Sequence, residues 1–339
     1  MNIEQYLNDW RNSALAFESQ INRVVIGQKS VIRQVIISVF TRGHVLLEGN
    51  VGVGKTTLLR AVAQGLGGNY QRIEGTIDLM PADLIYYTYL DRNAKPCIDP
   101  GPLLANGEKL SIFFFNEINR ARPQVHSVLL RVMAERCVSA FNSEHRLPYI
   151  QVFADRNRVE REETFELPAA ARDRFLMEIG MDAPVGDGLL NELMFNSRYH
   201  DVDQLVAEVD SNLIPYYQLN EVAQVIQQTV TASKALQTYA LALWKATSRP
   251  QAFGISLSDV DITRLIQAGA SPRGMSFLIQ AAKVRAWLEN RTVLFPEDLQ
   301  AVFKPVLQHR IFLQPMYAYR SGELLPDLFG GILEQIAAP

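Results

Sequence analysis

The stretch EGNVGVGKTT, residues 48–57, decides the fold that the sequence predicts. It matches the pattern G-x-x-x-x-G-K-[ST], with the fixed positions at Gly49, Gly54, Lys55 and Thr56. The apolar run HVLLE (44–48) before it has the composition of a buried strand, and TTLLRAVAQGL (56–66) after it has the pattern of a helix. A loop of this kind between a strand and a helix predicts a site for a purine nucleoside triphosphate.

The chemistry of this phosphate loop follows from its backbone. Its glycines allow conformations closed to residues with a Cβ, so that consecutive N–H groups point inward and the helix N-terminus adds its dipole. Lys55 is expected to reach the β- and γ-phosphates, and the Thr56 hydroxyl to hold Mg²⁺. The predicted nucleotide-binding residues of the loop are Gly49, Asn50, Val51, Gly52, Val53, Gly54, Lys55, Thr56 and Thr57.

Further short apolar runs alternate with helical patterns through the first half of the chain, which predicts βαβ units and a parallel sheet. The continuous run IFFF is typical of a strand covered on both faces. Two hairpins are also predicted, one around YYTYL and one within RCVSAFNSEHRLPYI. The other predicted strands are YQRIE (70–74), IFFF (112–115), IQVFA (150–154) and RFLMEI (174–179).

Bulk composition narrows the class of protein. The chain has 339 residues, 48% of them hydrophobic and 20% charged, which is ordinary for a globular protein. A net charge of -3 provides no global basic field, so a nucleic-acid partner is not expected. The two cysteines have no metal-like spacing, and no apolar run is long enough to span a bilayer. The expected location is the cytoplasm, with no membrane span.

Beyond the phosphate loop, the chain resembles the AAA+ ATPases, and specifically their MoxR branch. The resemblance extends from VVIGQ (24–28) to LQHRI (307–311). Its most specific segments are NEINRARPQVHSVLLRVMAER (116–136), TFELPAAARDRF (164–175) and GASPRG (269–274). It implies an α/β fold: a RecA-like P-loop αβα sandwich with a parallel five-stranded sheet, followed by a smaller all-α lid domain.

The resemblance also implies roles for single residues. Ile26 and Gly27 correspond to the adenine pocket, and Glu117 to the carboxylate that polarises the attacking water. Asn157 corresponds to the sensor-1 residue, whereas a turn asparagine is its plainer interpretation. Arg174 corresponds to an arginine finger that acts on a neighbouring subunit's nucleotide, or it pairs with Asp173. Arg273 corresponds to the sensor-2 arginine at the start of a lid helix.

Neighbouring positions leave alternatives open. Asn119 and Arg120 either serve a subunit boundary or cap the start of the next helix. Val51 stands where the family usually has proline. The change to valine removes no N–H donor to the phosphates.

Position 116 departs from the family, which usually has aspartate there. Asn116 keeps one acceptor oxygen toward the magnesium-bound waters but lacks the charge. Charge-assisted hydrogen bonds contribute ~1.5–3 kcal/mol and neutral ones about 1 kcal/mol, so the amide is expected to cost a factor of roughly 5 to 30 in Mg·ATP affinity or rate. Because Lys55, Thr56 and Glu117 are all retained, we expect a working but slow ATPase.

The expected domain order is a nucleotide-binding domain (1–182), a linker (183–219), a helical lid (220–305) and a C-terminal tail (306–339). The resemblance implies a homo-oligomeric ring, most simply a hexamer, that uses ATP and Mg²⁺. In the family, such rings act as chaperones with von Willebrand factor A-type partners and client enzymes, and the NEINRARPQVHS stretch looks like the methanol dehydrogenase maturation subgroup. The alternatives are an ATP-gated scaffold with little turnover, because of Asn116, and a nucleic-acid motor.

Overall fold

A computed structural model describes residues 2–157 and 164–339, which form two compact units. The first comprises Asn12–Phe175 and Ile179–Glu221, and contains the phosphate loop. The second comprises Met1–Arg11, Leu176–Glu178 and Val222–Pro339.

The described chain has α-helices in both units. In chain order they are α1 (Ile3–Val24), α2 (Lys29–Thr41), α3 (Lys55–Leu66), α4 (Pro123–Glu135), α5 (Ala169–Arg172), α6 (Asp187–Phe195), α7 (Val202–Ala207), α8 (Leu219–Thr229), α9 (Lys234–Ala246), α10 (Pro272–Leu288), α11 (Pro296–Leu307), α12 (Pro315–Ala318) and α13 (Ser321–Gln335). None of the described helices is long and apolar enough to cross a membrane.

The strands form one large sheet and three two-stranded ribbons. In chain order they are β1 (His44–Glu48), β2 (Asn69–Glu74), β3 (Tyr86–Leu90), β4 (Pro96–Pro100), β5 (Leu110–Asn116), β6 (Cys137–Ala140), β7 (Ser143–Arg146), β8 (Gln151–Arg156), β9 (Phe175–Gly180), β10 (Ile266–Ala268) and β11 (Phe312–Leu313). The large sheet has the order β2-β5-β8-β1-β9. The parallel five-stranded sheet predicted from the sequence is thereby confirmed.

Strand β5 lies inside this sheet, and that position explains its apolar composition. It pairs in parallel with β2 on one side and with β8 on the other. All seven of its residues are buried, so both of its faces are covered and the run carries apolar side chains on each. Phe113 and Phe115 belong to one core cluster, together with Val125 and Leu129 of α4. The packing of β5 therefore sets the position of Asn116, the polar residue at its carboxyl end.

Both predicted hairpins are present as antiparallel ribbons. Strands β3 and β4 pair from Tyr86 opposite Pro100 to Leu90 opposite Pro96. Strands β6 and β7 pair around the turn at 141–142, where Phe141 and Asn142 have left-handed backbone angles. The rings of Tyr86 and Phe141 lie 5.3 Å apart, which brings the two ribbons into contact.

The second unit contains the helical region predicted after residue 220, together with the small ribbon of β10 and β11. Ser271 is the N-cap of helix α10, where its hydroxyl accepts a hydrogen bond from the Gly274 N–H at 3.1 Å, and Pro272 is the first residue of the helix. The range 306–339 contains α13, and Phe329 of that helix stacks edge-on against Phe303 of α11 at 5.0 Å. The range 183–219 likewise contains α6 and α7.

His44, the first residue of β1, supports the end of the sheet opposite the phosphate loop. Its Nδ1 accepts a hydrogen bond from the Val152 N–H at 2.9 Å, so the proton is on Nε2, which donates to the Met133 carbonyl at 3.1 Å. Burial, and then the positive charge of Arg136, lowers the pKa of His44 from 6.5 to about 3. His44 is therefore neutral in the folded protein under ordinary conditions.

We expect His44 to make the folded state sensitive to acid. Because its folded pKa is below its unfolded pKa, its contribution is complete above pH 6.5 and is lost as the pH falls toward 3. Between about pH 7.5 and about pH 5, urea titrations should show a loss of about 2 kcal/mol, at ~1.4 kcal/mol per pH unit below the unfolded pKa, that is absent in His44→Gln. The other histidines are common to both proteins and cancel in the difference. Equal acid sensitivity of the two proteins would contradict this role.

Candidate active site

The phosphate loop connects the end of β1 to the start of α3. Gly54, the residue before α3, has φ 95°, a left-handed conformation that side chains with a Cβ rarely adopt. Gly49 is required for a different reason, since a Cβ at that position would lie 2.1 Å from the carbonyl oxygen of Met181. Asn50 and Val51 are exposed, whereas Thr56 and Thr57 are half-buried in the first turn of the helix. The loop therefore has the backbone that the phosphate-binding pattern requires.

Lys55 is held within this loop by two oxygens. Its ammonium lies 2.8 Å from the Gly49 carbonyl oxygen and 2.7 Å from Oδ2 of Asp155, which is near the end of β8. Asp155 is 1% exposed. Burial raises the pKa of the Asp155 carboxyl above its ordinary value, and both Lys55 and the N–H of Glu117 oppose that rise. The lysine thus has a buried carboxylate as its partner.

Glu117 follows β5 in a strained backbone conformation. Its φ of 52° and ψ of 48° are left-handed, which is uncommon for a residue other than glycine. Its N–H donates to Oδ1 of Asp155 at 2.6 Å, and its carboxylate lies 3.0 Å from Arg120. Gly75 makes room for this turn, because a Cβ there would lie 2.1 Å from the Glu117 carbonyl oxygen. Strained residues with several fixing contacts are typical of functional sites.

Asn116, the last residue of β5, contacts the neighbouring strand. Its amide Nδ2 donates a hydrogen bond to Oε1 of Glu74, the last residue of β2. Glu74 also pairs with Arg72 at 2.8 Å. Since Glu74 occupies the amide nitrogen, Oδ1 is the end of the Asn116 amide turned away from β2.

The remaining predicted residues lie in several places. Ile26 is half-buried and Gly27 has φ 76°, with a Cβ position only 2.6 Å from Cβ of Pro184. Asn157 is 9% exposed and directly follows β8, at the edge of the sheet where the phosphate loop begins. It is also the last described residue before 158–163.

The two predicted arginines come after β8 in the chain. Arg174 donates from Nη1 to the carbonyl oxygen of Ala170 at 2.8 Å, in its own turn of chain. Arg273 is exposed at the second position of α10, in the second unit. Helix α4 has Arg122 as its N-cap, so Asn119 and Arg120 precede the helix start rather than cap it.

The sequence-based prediction missed Asp155 and Glu74. Both stand at the carboxyl ends of strands that flank β5, where the ends of parallel strands meet at one edge of the sheet. Asp155 had a detectable signal, since it directly follows the predicted strand IQVFA and precedes Asn157 by two positions. Its pairing with Lys55 depends on the strand order, which the sequence alone leaves open.

The side chains at this edge fit magnesium chemistry. The Thr56 hydroxyl, the Asn116 amide oxygen and the nearby carboxylates are oxygen ligands, which Mg²⁺ prefers. Among residues 2–157 and 164–339, no group of three or more His, Cys, Asp or Glu side chains could hold a metal. Mg²⁺ commonly binds through one or two protein groups together with the phosphates of a nucleotide.

Comparison with known proteins agrees with this geometry. The family model "ATPase family associated with various cellular activities (AAA)" matches residues 44–177, and the "AAA lid domain" matches residues 261–327. Protein MoxR of Methylorubrum extorquens is 56% identical over 98% of this chain and 97% of that protein. The chain belongs to the MoxR family of AAA+ ATPases.

Other MoxR relatives extend the comparison. Protein MoxR of Paracoccus denitrificans is 51% identical over 99% of each chain. Chaperone MoxR1 of Mycobacterium tuberculosis is 31% identical over 94% of this chain and 81% of that protein. The crystal structure of a candidate ATPase from Cytophaga hutchinsonii superposes with a TM-score of 0.82 at 28% identity, over 99% of this chain and 97% of that one. Membership of the family implies nucleotide binding.

The close approach of Gly49 to Met181 gives a direct test of the loop. Gly49→Ala should lower the free energy of unfolding by about 1–3 kcal/mol, because the added methyl group forces the backbone apart, and should weaken nucleotide binding. Gly188→Ala is the matched control, since a Cβ at that helical position meets nothing within 4 Å. That variant should unfold at the same temperature as the wild type or slightly higher. Equal stability and nucleotide affinity in Gly49→Ala would exclude the proposed crowding.

Proposed function

We propose that this chain binds Mg·ATP at the edge formed by β1, β5 and β8 and hydrolyses it slowly. The observation that carries the proposal is the convergence of Lys55 and the Glu117 backbone on one buried carboxylate, Asp155, at 2.7 and 2.6 Å. Nucleotide phosphates would take over N–H donors of the loop and of Lys55. The Glu117 carboxylate, fixed through its backbone, would accept a proton from the attacking water.

The remaining site residues have supporting roles in this proposal. Thr56 and Asn116 would hold the magnesium ion, which supplies charge neutralisation at the phosphates when bound. Asn157 would orient the attacking water, and Ile26 and Gly27 would border the adenine. Asn116 is the reason to expect slow turnover, since it carries no charge.

We further propose that the active form is a ring, most simply a hexamer. Arg174 supports this, because it matches the family's arginine finger, which acts on a neighbouring subunit's nucleotide, and its guanidinium is bonded to the Ala170 carbonyl of its own turn. Arg273 would report the γ-phosphate from the start of α10. In a closed ring each interface is heterologous, so every site would be shared between two subunits.

The biological task proposed for the ring is that of a chaperone. The name of the mycobacterial relative, Chaperone MoxR1, supports this function, and the two proteins named MoxR support the narrower one. The narrower proposal is maturation of methanol dehydrogenase, by metal or cofactor insertion, with a von Willebrand factor A-type partner. A scaffold that binds ATP to assemble but hardly turns it over is the second candidate, and Asn116 favours it. A nucleic-acid motor is less favoured, because the net charge is -3.

Phosphate release from Mg·ATP tests the hydrolytic proposal. We expect wild type to release phosphate steadily, Lys55→Ala to lose nucleotide binding, and Glu117→Gln to bind nucleotide but release phosphate ~10²–10⁴-fold more slowly. Glu323→Gln is the control, because the Glu323 side chain is exposed and pairs with Arg320 of the same segment at 3.0 Å. Equal rates in wild type and Glu117→Gln would favour the scaffold instead.

Mixed assemblies test the shared site. Arg174→Ala and Glu117→Gln should each be nearly inactive alone, with the arginine worth ~10³–10⁵ in rate. Mixed in equal amounts and allowed to exchange subunits, they should regain activity at up to about a quarter of the sites, where an intact Glu117 meets a neighbour's intact Arg174. Size-exclusion chromatography with ATP should show the ring. A persistent monomer, or a mixture no more active than its parts, would refute the trans role of Arg174.

A further inference from the structure

Three polar side chains lie at one level across the sheet: Glu74 on β2, Asn116 on β5 and Asp155 on β8. Glu74 and Asn116 are register partners, as are Phe115 and Ala154, so Asn116 and Asp155 follow side by side. In parallel strands, residues at the same level point to the same face. We call these three residues the acidic row.

Asp155 occupies the central place in the contacts of this row. One of its oxygens lies 2.7 Å from the Lys55 ammonium, and the other accepts the Glu117 N–H at 2.6 Å. Its side chain is nearly fully buried, so its charge is poorly screened by water. The carboxylate that faces the phosphate-loop lysine is therefore on β8, one strand away from the end of β5.

Glu74 determines the orientation of the middle residue. Because it accepts a hydrogen bond from Nδ2 of Asn116, the amide oxygen faces away from β2. A carboxylate at 116 could not donate that bond, and it would stand between two other carboxylates at a strand spacing of about 4.8 Å. Like charges at such distances repel and resist simultaneous ionisation.

We propose that Asp155 supplies the negative charge that the metal-side strand lacks at Asn116, and that Asn116 is the neutral member required between Glu74 and Asp155. The proposal rests on the proposed Mg·ATP site. With phosphate oxygens on the donors of Lys55, Asp155 would be available to balance the charge of a bound Mg²⁺ and its water shell. The amide at 116 then contributes its oxygen without adding a third charge.

The test is a Mg²⁺ titration of the binding of a fluorescent, non-hydrolysable ATP analogue. Asp155→Asn should raise the Mg²⁺ concentration needed for half-maximal binding by roughly 5- to 30-fold, the difference between a charge-assisted and a neutral hydrogen bond. Asp203→Asn is the matched control. This substitution removes the 2.5 Å ion pair between Asp203 and Arg60, another cation on α3. The Asp203 side chain is 81% exposed. That variant should titrate as wild type does.

The decisive comparison places one substitution in two backgrounds. In the wild type, Asn116→Asp should leave Mg²⁺ binding unchanged or weaken it, because of its two acidic neighbours. In the Glu74→Gln/Asp155→Asn background the same substitution should strengthen Mg²⁺ binding by roughly 5-fold or more, because the charge is then alone in the row. Thermal unfolding of each variant shows which are folded.

The outcomes separate this inference from the proposed function. If Asp155→Asn fails to fold, Asn116→Asp alone carries the test, because the row predicts unchanged or weaker Mg²⁺ binding in that variant. Two results would contradict the proposed role of the acidic row, even if the wild type hydrolyses ATP. One is a Mg²⁺ dependence of Asp155→Asn equal to that of the wild type, and the other is stronger Mg²⁺ binding in Asn116→Asp alone. A wild type that binds Mg²⁺ and nucleotide without phosphate release refutes hydrolysis, yet the sign change at 116 still confirms the role of Asp155.

Discussion

The buried ion pair between Lys55 and Asp155 is the contact on which the rest of the candidate site depends. Its two side chains are 9% and 2% exposed, so neither charge is well solvated. Removing one member of such a pair leaves an uncompensated buried charge, which costs about 3–5 kcal/mol. The pair therefore ties the first turn of α3 to β8. The second oxygen of Asp155 adds the backbone of Glu117, so three segments of chain are fixed at one point.

The sequence specified those parts of the fold whose signals are local. The phosphate loop has fixed residues at fixed spacing, and β5 is a run of apolar residues too short for a helix. Both hairpins were also predictable, because short apolar stretches flank polar turns. The helices within 183–219 were not predicted, and α6 has no buried residue among its nine.

Contacts between strands that are distant in sequence were beyond prediction. Asp155 is separated from Lys55 by 100 positions, and only the order β5-β8-β1 brings them together. From the sequence, Glu74 was predicted only to end a strand, although in the structure it is the register partner of Asn116. The motif residues were therefore found and their supporting partners were not. A motif specifies residues within one segment of sequence, whereas the contacts between distant residues depend on how several segments pack together.

This distinction changes the meaning of Asn116. Considered along the chain, it is a missing charge at the end of one strand, with an expected cost of roughly 5- to 30-fold. Considered across the sheet, it lies between two carboxylates, and a third would be repelled by both. The ends of adjacent parallel strands are about 4.8 Å apart, so a charge on β8 acts on much the same space as a charge on β5. In the proposed arrangement, the electrostatic requirement of the site belongs to the whole row, and a departure at one strand end is interpretable only together with the residues beside it.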